Sequence, residues 1–257
     1  MAKAIAVFNQ KGGVGKTTTN VNLSACIASK GKKICVVDID PQGNTTSGFG
    51  IDKSLLNHSV YNLLIDNKNI EDVIIKSQYE NIDLIPSTNE LAGAEIELVA
   101  LANREGRLKQ HIDEIRGAYD YIFIDCPPSL GLLTINSLVA ADSVLIPIQC
   151  EYYALEGVSQ LMNTIQLVKR GLNPRLEIQG VVLSMFDGRT NLSIQVVDEV
   201  KNYFKGKVYT TIIPRNVRLA EAPSFGKPVI YYDGKSKGAE AYSELAEEFI
   251  ELEEDVI

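Results

Sequence analysis

The 257-residue chain predicts a doubly wound α/β fold, a mostly parallel sheet with helices on both faces. Two observations predict it. Short β-rich apolar runs recur at Ala4–Phe8, Ile34–Val37, Ile82–Ile85, Tyr121–Ile124, Ser143–Ile148, Ile178–Met185 and Val208–Ile213. Runs this short and this apolar suit strands buried on both faces, as in a parallel sheet. Between them lie stretches of helical spacing, with Leu155, Val158, Leu161, Met162 and Ile165 recurring at three and four and Leu245, Phe249 and Leu252 doing so near the end. Strand–helix alternation of this kind belongs to the doubly wound class. No Pro/Gly/Ser-rich linker and no repeat interrupts it, so residues 1–257 read as one domain. The stretch from Gly50 to Ser77 is the least patterned and reads as surface excursions, partly helical.

Composition narrows the class. A hydrophobic content of 45% beside 23% charge suits a chain that folds around a substantial core. No segment approaches the ~20 apolar residues of a membrane helix. The opening apolar run is too short for a signal peptide and leads at once into a glycine loop, so a cytoplasmic location is expected. Cys26, Cys35, Cys126 and Cys150 form no C-x-x-C pair. Free cysteines in or beside apolar runs behave as small buried hydrophobes. The net charge of −8 is unevenly spread: Lys201 to Lys237 holds eight basic and two acidic residues, +6, which leaves −14 for the remainder. A basic surface on an acidic protein is able to bind phosphates.

The strand at Ala4–Phe8 runs directly into Asn9-Gln10-Lys11-Gly12-Gly13-Val14-Gly15-Lys16-Thr17-Thr18, followed by a helical pattern to Ser29. Strand, glycine loop and helix is the context a phosphate-binding reading demands. Curled glycine backbone turns successive N–H groups toward phosphate oxygens, and the helix N-terminus adds partial positive charge. Lys16 is placed to bridge β- and γ-phosphates and the Thr17 hydroxyl to ligate Mg²⁺, which makes ATP and Mg²⁺ the expected ligands and the fold P-loop NTPase-like. A dinucleotide fingerprint starting at Gly13 fails, because it needs glycine at Thr18. The loop departs from the common G-x-x-x-x-G-K-[ST] pattern by having Gln10 at the first glycine position and a second lysine, Lys11, beside it. In this it resembles the deviant Walker A ATPases, in which the first lysine reaches across a dimer interface to the partner's nucleotide.

Two strands end in carboxylates. Val36-Val37-Asp38-Ile39-Asp40-Pro41-Gln42-Gly43-Asn44 puts Asp38 and Asp40 on the same side at the carboxyl edge, where such sheets bind ligands. One is able to hold the magnesium shell through water while the other orients water for attack on the γ-phosphate; Asp38 capping a turn is the alternative. Tyr121-Ile122-Phe123-Ile124-Asp125 has the form of a Walker B strand, with Asp125 reaching Mg²⁺ through water.

These motifs, together with Asp125-Cys126-Pro127-Pro128-Ser129, residues 149–157 and Ile213-Pro214-Arg215-Asn216-Val217-Arg218-Leu219-Ala220-Glu221-Ala222-Pro223-Ser224, resemble the ParA/Soj chromosome-partitioning ATPases in order over nearly the whole chain. The resemblance implies an ATP-dependent homodimer that binds double-stranded DNA without sequence preference, is nucleoid-associated when ATP-bound, and is released when a ParB-like centromere-binding protein stimulates hydrolysis. It makes Asp40, directly before Pro-Gln-Gly, the hydrolytic aspartate, and Pro214 and Asn216 the adenine pocket. It makes Arg189 and Arg218 DNA contacts. Longer relatives carry a helix-turn-helix domain before the P-loop; none is expected here, since the first strand begins almost at once.

Two rivals share the loop. A MinD-type membrane-associated cell-division ATPase needs a basic amphipathic C-terminal helix on anionic lipid. Residues 239–257 hold Glu240, Glu244, Glu247, Glu248, Glu251, Glu253, Glu254 and Asp255 and no lysine or arginine, so no stable membrane binding is expected. An iron–sulfur carrier of the nitrogenase-reductase type needs cysteines that bridge two subunits, and Cys126 has no matching partner.

Overall fold

A computed structural model of the chain describes residues 1–151 and 157–254. Leu155 of the predicted helical run, residues 152–156 of the motif at 149–157, and Asp255 lie outside them. In chain order the elements are β1 (Lys3–Val7), α1 (Lys16–Ser29), β2 (Ile34–Asp38), α2 (Asn44–Gly48), α3 (Val60–Leu64), β3 (Ile75–Lys76), β4 (Ile82–Ile85), α4 (Leu91–Glu97), α5 (Arg107–Ile115), β5 (Tyr121–Asp125), α6 (Leu132–Ala140), β6 (Ser143–Gln149), α7 (Val158–Gly171), β7 (Glu177–Phe186), α8 (Asn191–Phe204), β8 (Val208–Pro214), α9 (Val217–Glu221), α10 (Val229–Tyr232) and α11 (Lys237–Glu254).

The strands form one sheet in the order β3-β4-β2-β5-β1-β6-β7-β8. Every pairing is parallel except that of the short edge strand β3 with β4. Side chains alternate between two apolar layers, as the twofold period of a strand requires. Ala4, Ala6, Cys35, Val37, Ile122 and Ile124 enter the layer beneath α5, α6 and α7. Ile5, Val7, Ile34, Val36, Tyr121 and Phe123 enter the layer beneath α1 and α11. With both faces covered, the central strands have no polar face, which is why they read as unbroken apolar runs. All four cysteines are free and buried within these layers.

Two readings of the sequence change. The stretch from Gly50 to Ser77 is no surface excursion: Val60, Leu63, Leu64, Ile70 and Val73 are buried in the first layer. Its elements are too short to show a period. The last strand, β8, lies at a sheet edge and is only partly buried. Part of its open backbone is covered by α11, where the Glu248 carboxylate accepts hydrogen bonds from the Thr210 and Thr211 N–H groups at 2.6 and 2.9 Å. Masking an edge in this way hinders strand addition by another chain.

Helix α11 is the lid of the second layer. Leu245 and Phe249 are fully buried, with the Phe249 ring 5.2 Å from Tyr121 and 5.8 Å from Phe123; Leu252, one turn on, is largely exposed. Phe249→Ala should therefore cost about 3–5 kcal/mol through lost burial and an unfilled cavity. Urea unfolding of wild type and variant checks this, and a loss under about 1 kcal/mol would mean that α11 is not anchored through this ring.

Candidate nucleotide-binding site

Neighbouring strands β1, β5 and β2 end at the same edge of the sheet, with Val7 level with Asp125 and Asp125 level with Asp38. This is the carboxyl edge, where open α/β sheets bind ligands. The loop from Asn9 to Gly15 leaves β1 there and opens α1. Gly13 and Gly15 have φ of 75° and 90°, a left-handed conformation that side chains resist. Gly15 caps α1 without a side chain, so the helix's first N–H groups face the loop interior with no acceptor from their own helix.

Neighbours brace the loop from outside. Asn9 donates from Nδ2 to the Pro147 carbonyl at 2.8 Å and accepts the Lys11 N–H at 3.1 Å. The Ser184 hydroxyl on β7 donates to the Val14 carbonyl at 2.8 Å. Inside, Lys16 is buried, and its Nζ donates to the Lys11 carbonyl at 3.1 Å. Burial lowers the Lys16 pKa, opposed chiefly by the charge of Asp125. Lys11 is partly exposed, and among the described residues no carboxylate lies within 4 Å of its ammonium.

The three aspartates have different surroundings. Asp125 is fully buried, and its Oδ2 accepts the hydroxyls of Thr17 at 2.8 Å and Thr45 at 2.7 Å. Its Oδ1 is buried without a partner among the described residues. Burial, then the nearby charge of Asp38, pushes Asp125 up to about 7. Asp38 is also fully buried and is pushed up to about 6, again mainly by burial. Both its oxygens are engaged: Oδ2 accepts the N–H and hydroxyl of Thr46 at 2.7 Å each, and Oδ1 accepts the Asp40 N–H at 3.3 Å. Asp38 turns inward and holds the start of α2, the capping role, while Asp40 lies two residues past the end of β2. Gln42 N–H donates to Asp40 Oδ1 at 3.0 Å, and no described residue bonds Oδ2.

These residues fit Mg²⁺. A carboxylate oxygen without a partner sits in a buried pocket, with a threonine hydroxyl on the same carboxylate. Among the described residues no cluster of three His, Cys, Asp or Glu side chains is able to hold a metal. Mg²⁺ needs none, since it takes one or two protein ligands and fills its octahedron with phosphates and water.

On the far side of Gly15 and Thr18 lies a mainly apolar cavity of about 240 Å³, whose walls include Met185, Pro214, Asn216 and Tyr242. Asn216 caps α9, its Oδ1 accepting the Arg218 N–H at 2.9 Å, which leaves the amide NH₂ as the unused group. Met185 has φ of 53°, a strained value for a side chain of this size, near the shift in register between β7 and β8. The Tyr242 hydroxyl shares a hydrogen bond of 3.1 Å with Thr19 under the loop.

The proposed DNA contacts are already paired. Arg218 meets Glu221 at 2.7 Å and Asp233 at 3.0 Å, with its side chain 49% exposed. Arg189 meets Asp187 at 2.6 Å and Arg215 meets Glu151 at 3.0 Å.

With this geometry in place, relatives can be compared. A family model described as an AAA domain matches residues 2–178. The sporulation initiation inhibitor protein Soj of Bacillus subtilis is 62% identical over 96% of this chain and 98% of its own length. The chromosome partitioning protein ParA of Myxococcus xanthus is 53% identical over 97% of this chain and 88% of its own. The chain belongs to the ParA/Soj family of partitioning ATPases. Among solved structures, the cobyrinic acid a,c-diamide synthase of Mycobacterium smegmatis with bound ADP and magnesium superimposes with a TM-score of 0.84 at 38% identity, covering 96% of this chain and 93% of that one. Among the described residues of this ParA/Soj protein, no helix is long and apolar enough to cross a membrane.

The fold brings Lys11 through Thr18, Asp38, Asp40 and Asp125 to one edge, with Pro214 and Asn216 beside the loop's far end. It also adds residues the sequence reading missed. Thr45 and Thr46 follow Asn44 directly, and two hydroxyls just after an acidic motif were a usable signal. Ser184, Met185 and Tyr242 carried none, because their role comes only from chain-distant contact.

Asn216→Asp separates the observed helix cap from the adenine contact expected of Asn216, since aspartate caps a helix as well as asparagine but has no NH₂ to donate. Stability should stay within about 0.5 kcal/mol, while ATP affinity should fall roughly tenfold, the loss of one good hydrogen bond. Calorimetric titration with ATP beside urea unfolding tests this, and unchanged affinity would remove Asn216 from base recognition.

Proposed function

We propose that the chain is an ATP-switched dimer that hydrolyses MgATP, binds double-stranded DNA without sequence preference while ATP-bound, and acts in chromosome or plasmid partitioning with a ParB-like centromere-binding partner. The observation that carries the dimer is the pair of lysines on one loop. Lys16 is buried and turned into the loop, and a triphosphate replaces the Lys11 carbonyl as its acceptor. Lys11 stands at the rim without a carboxylate partner among the described residues, and a second protomer's γ-phosphate supplies the opposite charge.

The chain's own groups divide the chemistry. Backbone N–H groups of Gly12 to Thr18 hold the phosphates, Lys16 bridges the β- and γ-oxygens, and Thr17 and Asp125 form the cation's side of the pocket, Asp125 through water. Mg²⁺ held on the side of Thr17 and Asp125 would supply neutralising positive charge to the phosphates. The free oxygen of Asp40 orients water in line with the γ-phosphorus. Lys11 supplied in trans stabilises the transferring oxygens, as an arginine finger does. Pro214 packs against the base while the Asn216 NH₂ donates to it.

The trans role has a direct test. Lys11→Ala and Asp40→Ala should each hydrolyse ATP poorly, and Asp40→Ala should accumulate as an ATP-bound dimer in light scattering. In a mixed dimer, the Lys11→Ala protomer keeps Asp40 and receives an intact Lys11 from its neighbour, so one complete site returns. Activity should recover on mixing; an inactive mixture with heterodimers demonstrably present rules out the trans lysine.

DNA attraction rests on the paired Arg189 and Arg218 and on three exposed lysines, Lys227, Lys235 and Lys237, that have no ion-pair partner among the described residues. Exposed pairs such as Arg218–Glu221 contribute little, so a phosphate is able to displace the carboxylate. Arg218→Glu should weaken DNA retention without changing ATP affinity, and retention should fall steeply with salt as counterions are released. DNA binding that ignores salt, or that footprints one sequence, would contradict this surface.

A further inference from the structure

Asp40 is held from its backbone as well as its side chain. The Ser87 hydroxyl, fully buried just beyond the end of β4, donates to the Asp40 carbonyl at 2.7 Å. The Ser87 N–H donates to the Thr46 hydroxyl at 2.9 Å, and that hydroxyl donates to Asp38 Oδ2 at 2.7 Å. The Asp40 carbonyl also accepts the Gly43 N–H at 2.9 Å, closing the turn that carries Gln42 N–H to Asp40 Oδ1. Ser87 thus links the two arms of one turn: its hydroxyl holds Asp40 and its N–H holds the start of α2. Both bonds leave from a single residue on a neighbouring strand's exit loop, which α3 and the sheet keep in place; Val60 N–H donates to the Pro86 carbonyl at 2.8 Å.

We infer that Ser87 is a positioning residue for hydrolysis, setting the Asp40 backbone so that the carboxylate oxygen left free by Gln42 addresses the attacking water. This rests on Asp40 being the hydrolytic aspartate. Asp40 lies past the strand, where no sheet hydrogen bond fixes its carbonyl, and a carboxylate that orients water must be placed within a fraction of an ångström. Ser87 touches neither the loop from Asn9 to Gly15 nor the cavity walled by Pro214 and Asn216. Its loss should therefore affect the hydrolytic step and spare nucleotide binding.

The experiment compares single-turnover hydrolysis of preloaded MgATP by the full chain with ATP affinity measured separately. Ser87→Ala should lower the hydrolysis rate roughly tenfold, because a small displacement of a reacting group costs this much or more. ATP affinity should stay within about twofold of wild type, and the ATP-bound dimer should live correspondingly longer. Ser59→Ala is the structural control. Ser59 is equally buried and accepts the Tyr61 N–H to start α3, with its hydroxyl 3.4 Å from that of Thr88, but it does not touch Asp40. Its loss should lower stability without slowing hydrolysis. Equal slowing by both variants, or a wild-type rate in Ser87→Ala beside an inactive Asp40→Ala, overturns the inference. A wild-type rate in Asp40→Ala itself would instead show that the assignment of Asp40 is at fault.

Discussion

Two carboxylates, Asp38 and Asp125, stand level on neighbouring parallel strands, and neither reaches solvent. Each resists ionisation through burial; the charge of Asp38 raises the Asp125 pKa further, and that of Asp40 raises the Asp38 pKa. Burying charge in this way is costly unless donors meet it, and the surrounding structure is built of such donors. Thr17 comes from the start of α1, Thr45 and Thr46 come from α2, and Lys16 adds a cation from the same loop. The short helix α2 would have little reason to form alone, since five residues cannot offset helix nucleation. It forms because its threonines compensate these carboxylates, and in doing so it fixes the turn that carries Asp40. One electrostatic demand thus orders the pocket around Asp125, the glycine loop and the turn that carries Asp40 together.

The central sheet was legible because parallel strands covered on both faces must be apolar on both. Val36, Val37, Ile122, Phe123 and Ile124 follow that rule without a break. Periodicity weakened where elements became short or one-sided. Val60, Leu63 and Leu64 fill one helical turn, too short to repeat, and so a buried segment read as surface. At β8 a strand at the sheet edge keeps a strong β pattern, yet half its environment is solvent and a glutamate from α11.

The site was legible where chemistry demands particular residues in sequence. A loop from Lys11 to Thr18 has few other uses, and an aspartate closing a strand beside it invites a metal. The roles of Asp38 and Asp40 were not separable this way, because strand alternation stops at the strand end. Beyond Asp38 the chain turns, and the partners that set their surroundings apart, Thr46 and Ser87, come from α2 and from the exit of β4. Ser184, Met185 and Tyr242 were beyond reach for the same reason: each reaches the loop, α1 or the cavity beside them from more than a hundred residues away.

Charge shows the difference between counting and placing most clearly. Eight basic residues against two acidic ones between Lys201 and Lys237 describe a positive segment. In space, those two acids, Glu221 and Asp233, both sit on the single residue Arg218, so the positive charge that remains belongs mostly to lysines. A lysine is a hydrated point charge on a flexible stem, well suited to attracting a polyanion of any sequence from a distance. An arginine held between two carboxylates is oriented instead, with its planar fork fixed before a phosphate arrives. Exchange of one anion for another keeps that orientation and costs little, because exposed pairs are weak. As the proposed DNA surface, this arrangement would sense the presence of a phosphate backbone and be indifferent to the bases it carries.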